Sequence, residues 1–342
     1  MQQPSQRQPE PLPEARLVAD GIWKITEPIP FPLRTVNLHA LVGDNGDWAL
    51  VDTGMGTPDA RAALAAGLEK AGLSIDRLRA IVLTHHHPDH VGLSGELHER
   101  SGAAVYMHPI DEASVQIIWS GTMPRRFRRV SDFFAQQGVP ETNFWFTEVD
   151  PDAMRRIISV PPHEAFTMIE DGQYLDLLGE RYRVIWVPGH ADGQVVLFRE
   201  RDGVLLAADH VLPRITPNIG LYSTHDRPNP LDDYLNSLRK VEHLPANVVL
   251  PGHGEPFADL AGRVNEIIEH HGQREMQIIA MLDEGPQNAY QIALKLFGHR
   301  MNNSEAQRMA VAEALSHLEH LRLGGQVDHY RTEDGIILYS VA

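Results

Sequence analysis

The sequence predicts an α+β fold: one large unit built from two β-rich halves, followed by a small, mostly helical unit. Three observations predict it. Short strand-like runs fill two separate stretches, each leading into a turn or a helix. Between them lies a segment of different character, in which aromatic residues and arginines interleave. From about residue 258 the pattern becomes helical and then closes on an alternating ribbon.

The first sixteen residues, MQQPSQRQPEPLPEAR, are polar and proline-rich without an apolar core, and read as a disordered leader rather than a secretory signal. Strands follow at GIWKITEPI, TVNLHALVGD and GDWALVDTG, the last two joined at Asn45-Gly46, a dipeptide favoured in tight hairpins. TPDARAALAAGLEKAG reads as a helix, with Thr57 as cap, Pro58 at its first position and Gly72 as stop. LRAIVLTHHH begins as the apolar, β-branched run that a strand buried on both faces shows. GLSGELHERSG then reads as helix and AAVYMHP as strand, and residues 111–170 form a helical or irregular insertion. Strands resume in QYLDLLGERYRVIWVPGH and GQVVLFRERDGVLLAADH and, after the helix NPLDDYLNSLRKVEHL, in NVVLPGHG, which gives a large unit over 17–257. Beyond it come one long helix ending at Gly285-Pro286, two shorter helices, and a hairpin turning at Asp334-Gly335. Three helices and a two-stranded ribbon make the layout of a winged helix, so 258–342 is expected to form a separate domain.

Chemistry concentrates in LTHHHPDHVG, residues 83–92. The chain has 19 histidines and no cysteine, so disulfides are excluded and any metal must be held by His, Asp or Glu. If the chain leaves the AIVLT strand still extended, His85 and His87 point to one side, and Pro88 bends the backbone so that Asp89 and His90 turn to a second position nearby. Imidazole and carboxylate suit zinc, iron or manganese. Three more apolar strands end in a donor: WVPGH at His190, LLAADH at Asp209 and VLPGH at His253. A strand, a short turn and then a donor, repeated, would place these side chains at one rim of the sheets. Isolated histidines such as His98, His271, His317 and His320 read instead as surface or satisfied side chains.

The order H-x-H-x-D-H, Gly-His, Asp, Gly-His, preceded by LVDTG at Asp52, resembles the metallo-β-lactamase-fold hydrolase superfamily over roughly residues 17–257. The long helix and the winged-helix-like tail resemble its glyoxalase II-like and lactamase-β-2-like members. The resemblance implies a four-layer αβ/βα sandwich and two divalent metal ions, with zinc expected and iron or manganese as alternatives. It puts His85, His87 and His190 on one ion and Asp89, His90 and His253 on the other, with Asp209 bridging. His86 occupies the variable position and is not expected to ligate, and Asp52 is expected to brace the ligand loop. Asp89 and Asp209 are the carboxylates implied in catalysis. Two cations about 3.5–4 Å apart would lower the pKa of a bridging water, whose hydroxide attacks the electrophile.

The ligand set does not choose among esters, thioesters, lactones, β-lactams and phosphodiesters. An ester or thioester of CoA or glutathione type is favoured, although HVGLSGE lacks the paired glycines common in glyoxalase II. Candidate substrate contacts are Arg125 and Arg128 of the insertion, and Tyr222 and His225 in the segment after Asp209. A metal-dependent endoribonuclease or phosphodiesterase is the alternative that a winged helix suggests. Charge argues against it: the formal net charge is −16, and residues 272–342 hold 6 Lys+Arg against 9 Asp+Glu, where tracking a phosphate backbone needs a basic surface. A mononuclear iron persulfide dioxygenase and a lactonase or β-lactamase are further alternatives. With no run of about 18 apolar residues, the protein is expected to be cytoplasmic, with a small-molecule substrate and neither nucleic-acid nor membrane partner. The tail is expected to be a packing or homodimerisation module whose removal leaves the metals bound.

Overall fold

The structure, a computed structural model, describes residues 14–119, 123–140, 151–224 and 226–342, with the backbone alone at residues 14, 123–128, 151, 152 and 155. Strands β1 (Glu14–Ala19), β2 (Ile22–Pro28), β3 (Thr35–Val42) and β4 (Trp48–Val51) form an antiparallel run. Helix α1 (Pro58–Ala71) returns the chain to β5 (Leu78–Val82), parallel to β4. As expected, the Thr57 hydroxyl accepts from Ala60 N, and Gly72 ends the helix at φ +70°. Helices α2 (Pro88–Val91) and α3 (Ser94–Ser101) precede β6 (Ala104–Met107). Helices α4 (Pro109–Trp119), α5 (Met123–Gln136) and α6 (Pro151–Ile157) precede β7 (Phe166–Met168). These strands make a seven-stranded sheet in chain order.

The second sheet has five strands: β8 (Tyr174–Leu177), β9 (Glu180–Trp186), β10 (Val195–Arg199), β11 (Val204–Ala208) and, beyond helix α7 (Pro230–Glu242), β12 (Val248–Pro251). Side-chain alternation divides each strand between two cores. In β11, Val204 and Leu206 face the first sheet's Val51 and Val82, whereas Leu205 and Ala207 face Leu235 and Leu238 of α7. In β5, Val82 faces the second sheet and Ile81 faces the layer holding Leu64 and Leu68 of α1. The result is a four-layer sandwich with two sheets inside and helices outside, as the family resemblance implied.

After β12 the chain forms α8 (Leu260–Asp283), α9 (Ala289–Phe297), α10 (Ser304–Leu323) and the ribbon β13 (Val327–Arg331) with β14 (Ile337–Val341). Their core also takes in Val130, Phe134 and Val139 from the insertion and Leu221 from the loop after β11. The insertion and the tail therefore share one apolar core, which no periodicity in either segment announces.

Two boundaries differ from the sequence reading. Strand β1 begins at Glu14, inside the stretch read as leader, because Ala15 pairs with Ile25 and buries its side chain. Strand β7 lies inside the stretch read as insertion; at three residues it is too short to display an alternation.

Candidate metal centre

Five loops at one rim of the two sheets bring the donors together. Strand β4 delivers Asp52, β5 delivers Thr84, His85 and His87, β9 delivers His190, β11 delivers Asp209 and β12 delivers His253. Pro88 starts the short helix α2 at its first position and turns Asp89 and His90 inward, both buried. Two non-glycine residues at this rim adopt the left-handed region, Asp52 at φ +60° and Ala208 at φ +45°. Such backbone costs free energy and persists where the surroundings hold it, commonly at functional sites. Gly252 is required by close approach, since a Cβ there would lie 2.3 Å from Asp209 Oδ1.

Three groups of donor atoms are close enough to share an ion: His85, His87 and His190; Asp89, His90 and His253; and His85, His90 and Asp209. Asp209 lies between the first two, with Oδ1 at 3.5 Å from His90 Nε2 and Oδ2 at 3.5 Å from His190 Nε2 and 3.2 Å from His253 Nε2. The Nε2 atoms of His90, His190 and His253 and Asp209 Oδ1 are buried without a hydrogen-bond partner of acceptable geometry among the described residues. Orphaned buried donors and acceptors are costly, and imidazole nitrogens gathered around the Asp209 carboxylate fit bound cations.

Charge fits too. Burial, then the neighbouring imidazoles, hold His85 and His87 well below the usual histidine range, so both offer lone pairs at neutral pH. Burial lowers His190 as well. Burial also opposes charge on His90 and His253, yet the carboxylate of Asp209, helped by Asp89, raises both, with Asp52 assisting at His90. A divalent cation is the alternative means of neutralising those carboxylates.

The far side of each imidazole is braced. Asp52 Oδ2 is 2.8 Å from His90 Nδ1, and Asp52 also accepts from the Thr84 amide and hydroxyl. That hydroxyl lies 3.0 Å from His85 Nδ1, so one carboxylate orients two donors. His253 Nδ1 donates to Thr35 O at 2.6 Å and His190 Nδ1 to Asn218 O at 2.9 Å. The fully buried Asp111 joins two of the donor loops, accepting from His86 N at 2.9 Å and from Gly193 N at 2.7 Å. Asp111, Asn218 and Thr84 escaped the sequence reading. An acid after a helix-starting proline and an asparagine in a loop are too common to signal a brace, and Thr84 was legible only as the residue before His85.

His86 belongs to none of the three donor groups. Tyr222 donates its hydroxyl to Asn218 Oδ1 at 2.8 Å and lies between the Phe134 ring and the Arg308 guanidinium, so its polar atom is engaged in packing. Arg125 and Arg128 fall on α5 where the backbone alone is described, and His225 lies outside the described residues. No helix among the described residues is long and apolar enough to cross a membrane.

A rim of His and Asp donors above a two-sheet sandwich defines a metal-binding hydrolase. Residues 36–253 match the model of the metallo-β-lactamase superfamily, and residues 276–342 match that of a metallo-β-lactamase-like C-terminal domain. The chain belongs to that superfamily and is a metal-dependent hydrolase. A crystal structure of a metallo-β-lactamase family protein from Thermus thermophilus is 37% identical, with a TM-score of 0.82 and coverage of 95% of this chain and 100% of that one. A probable metallo-hydrolase of Bacillus subtilis is 28% identical over 94% of this chain and 96% of its own length. An atrochrysone carboxyl ACP thioesterase of Aspergillus fumigatus is 23% identical over 78% of this chain and 49% of its own length.

Proposed function

We propose that the protein is a dinuclear hydrolase of ester or thioester carbonyls, with a conjugate of CoA or glutathione type favoured. The observation that carries the dinuclear reading is the position of Asp209 between two complete donor groups, within 3.5 Å of an imidazole nitrogen in each. His85, His87 and His190 would hold one cation, Asp89, His90 and His253 the other, and Asp209 both; zinc suits this nitrogen-rich set. Bound cations supply an acidified water and polarise a carbonyl oxygen.

The chain's own residues do the rest. Asp52 fixes the tautomer of His90 directly and that of His85 through Thr84. Asp89 and Asp209, buried beside the imidazole nitrogens, would accept hydrogen bonds from an attacking water and orient it. Asp111 keeps the two donor-bearing turns in register. No Ser–His or Cys–His nucleophile is required for this chemistry.

The thioester preference is supported by the thioesterase named among the relatives, at 23% identity, and is the finer part of the proposal. The test is a hydrolysis screen of thioesters, esters, lactones, β-lactams and phosphodiesters run alongside elemental analysis. Two metal equivalents per chain and turnover of acyl thioesters are expected. One iron per chain, or turnover confined to phosphodiesters, would replace this proposal with a different one.

A further inference from the structure

Asn218 links helix α10 of the C-terminal region to the metal centre. Asn218 lies in the segment between β11 and α7, which has no regular secondary structure apart from short turns. Its backbone carbonyl accepts from His190 Nδ1 at 2.9 Å. Its side chain is held from α10: Nδ2 donates to Glu313 Oε2 at 3.0 Å and to Met309 O at 3.2 Å, while Oδ1 accepts from the Tyr222 hydroxyl at 2.8 Å. Three of the four hydrogen bonds an amide side chain makes are thereby used. Nearby, Leu221 N donates to Ala312 O at 3.1 Å, and the Arg308 guanidinium lies 4.6 Å from the Tyr222 ring centre. The segment is thus fastened to one face of α10, residues 308–313, at the point where its carbonyl meets His190.

We infer that Asn218 and Glu313 are positioning residues for the metal centre: α10 holds Asn218, and Asn218 holds His190 with Nε2 turned to the donor cluster. The carbonyl fixes the Nδ1–H tautomer, leaving the Nε2 lone pair for the ion. Neither residue touches the site of reaction. The second donor group, Asp89, His90 and His253, draws its imidazole braces from Asp52 and Thr35 instead, so the effect should fall on one side of the centre. On this reading the tail is not a detachable packing module. It is part of the frame that sets one ligand. This inference rests on the two-cation reading above.

The test is zinc titration against a competing chelator on the full chain, with Asn218→Ala, Glu313→Ala and Glu313→Gln beside wild type. Outer partners of metal-bound histidines are worth roughly 10–100-fold in affinity. One of the two zinc ions should therefore bind at least about tenfold more weakly in both alanine variants, with the other within about threefold of wild type. Gln keeps an acceptor for Asn218 Nδ2, so Glu313→Gln should recover most of the affinity. Equal weakening of both ions would mean general loosening of the fold and overturns the proposal, as would wild-type affinity in Asn218→Ala. If Glu313→Ala fails to fold, Asn218→Ala and Glu313→Gln decide. A wild-type chain that binds a single ion defeats the two-cation reading alone. The present inference is then judged on that ion, and an unchanged affinity in Asn218→Ala overturns it.

Discussion

On one side of the donor cluster the braces come from the catalytic unit itself. His85, His90 and His253 lean on Thr84, Asp52 and the Thr35 carbonyl, all within or beside the first sheet. On the other side His190 leans on a loop, and the loop leans on a helix more than ninety residues further along the chain. The first arrangement is rigid because strands buried on both faces end directly at the braces. The second is as rigid as the packing between two domains. The difference teaches that one metal centre depends on two kinds of stability, one intrinsic to the sandwich and one imported.

The strongest way to erase the comparison is to remove the group common to both sides. Asp209→Ala takes away the carboxylate facing His90, His190 and His253, the one acidic group shared by both sides. Metal content should fall by about half or more and hydrolysis by at least about a thousandfold. Elemental analysis of a folded, dichroism-checked variant reads the outcome, and full metal content would remove Asp209 from the centre. Asp52→Ala breaks the local side alone. It strips the partners of His90 Nδ1, the Thr84 amide and the Thr84 hydroxyl, and buried groups left unpaired cost about 1–3 kcal/mol each. Activity about 10–100-fold lower, with a lower unfolding midpoint, is expected. A variant as stable and active as wild type would show that Asp52 braces nothing.

The two sides also differ in how far they could be read without a structure. Ligating atoms must sit at strand ends in a fixed order, so THHHPDH, PGH, AADH and PGH carry their meaning in local spacing, and Asp52 came with LVDTG. Several strands and helices were legible through apolar pattern and helix starts and stops, whereas the four-layer arrangement came with the family resemblance. Braces made by a backbone carbonyl leave no such trace, because any residue type supplies one. Asn218 and Glu313 are 95 positions apart, and nothing in NIGLY or in SEAQRMAVAEALSHLEHLRL tells which side chains meet. The shared core of insertion and tail was hidden for the same reason: nothing in either segment names the partner it packs against.

A milder perturbation loads the imported side with acid. His271 of α8 and His317 of α10 meet at 3.1 Å in the seam that docks α10, and His317 Nδ1 donates to Glu313 O at 2.8 Å. Burial first, then the neighbours His270, Arg274 and His320, hold His271 down to about 2 and His317 to about 4, with the Glu313 carbonyl opposing the shift at His317. The Tyr234 ring, 5.7 Å from His271, adds no charge to offset this. A histidine whose folded pKa lies below its unfolded value of about 6.5 contributes full stability above that value and loses it as pH falls. At pH 5 each such histidine costs about 2 kcal/mol. The unfolding midpoint should drop between pH 6.5 and 4.5, and His317→Gln should flatten the slope, while His39 and His210, held by burial to about 3, keep the sandwich's own share of it. An identical slope in wild type and variant would locate the acid sensitivity elsewhere.

The smallest effect is expected within the histidine cluster itself. His86 contributes through its main chain: its amide donates to Asp111 Oδ2 at 2.9 Å, and its carbonyl accepts from Trp119 Nε1 at 3.0 Å. Its imidazole lies 3.2 Å from the same carboxylate and outside every donor group. His86→Ala keeps both backbone bonds and leaves Asp111 still bonded to Gly193 N, so the two donor turns stay joined. Metal content should remain within about 10% of wild type and stability within about 1 kcal/mol, since only one imidazole–carboxylate contact is lost. Loss of an equivalent of metal in this variant would make His86 a ligand and displace His87 from the first group. The bend at His85 and His86 instead sets the His86 imidazole beside Asp111, outside the donor groups.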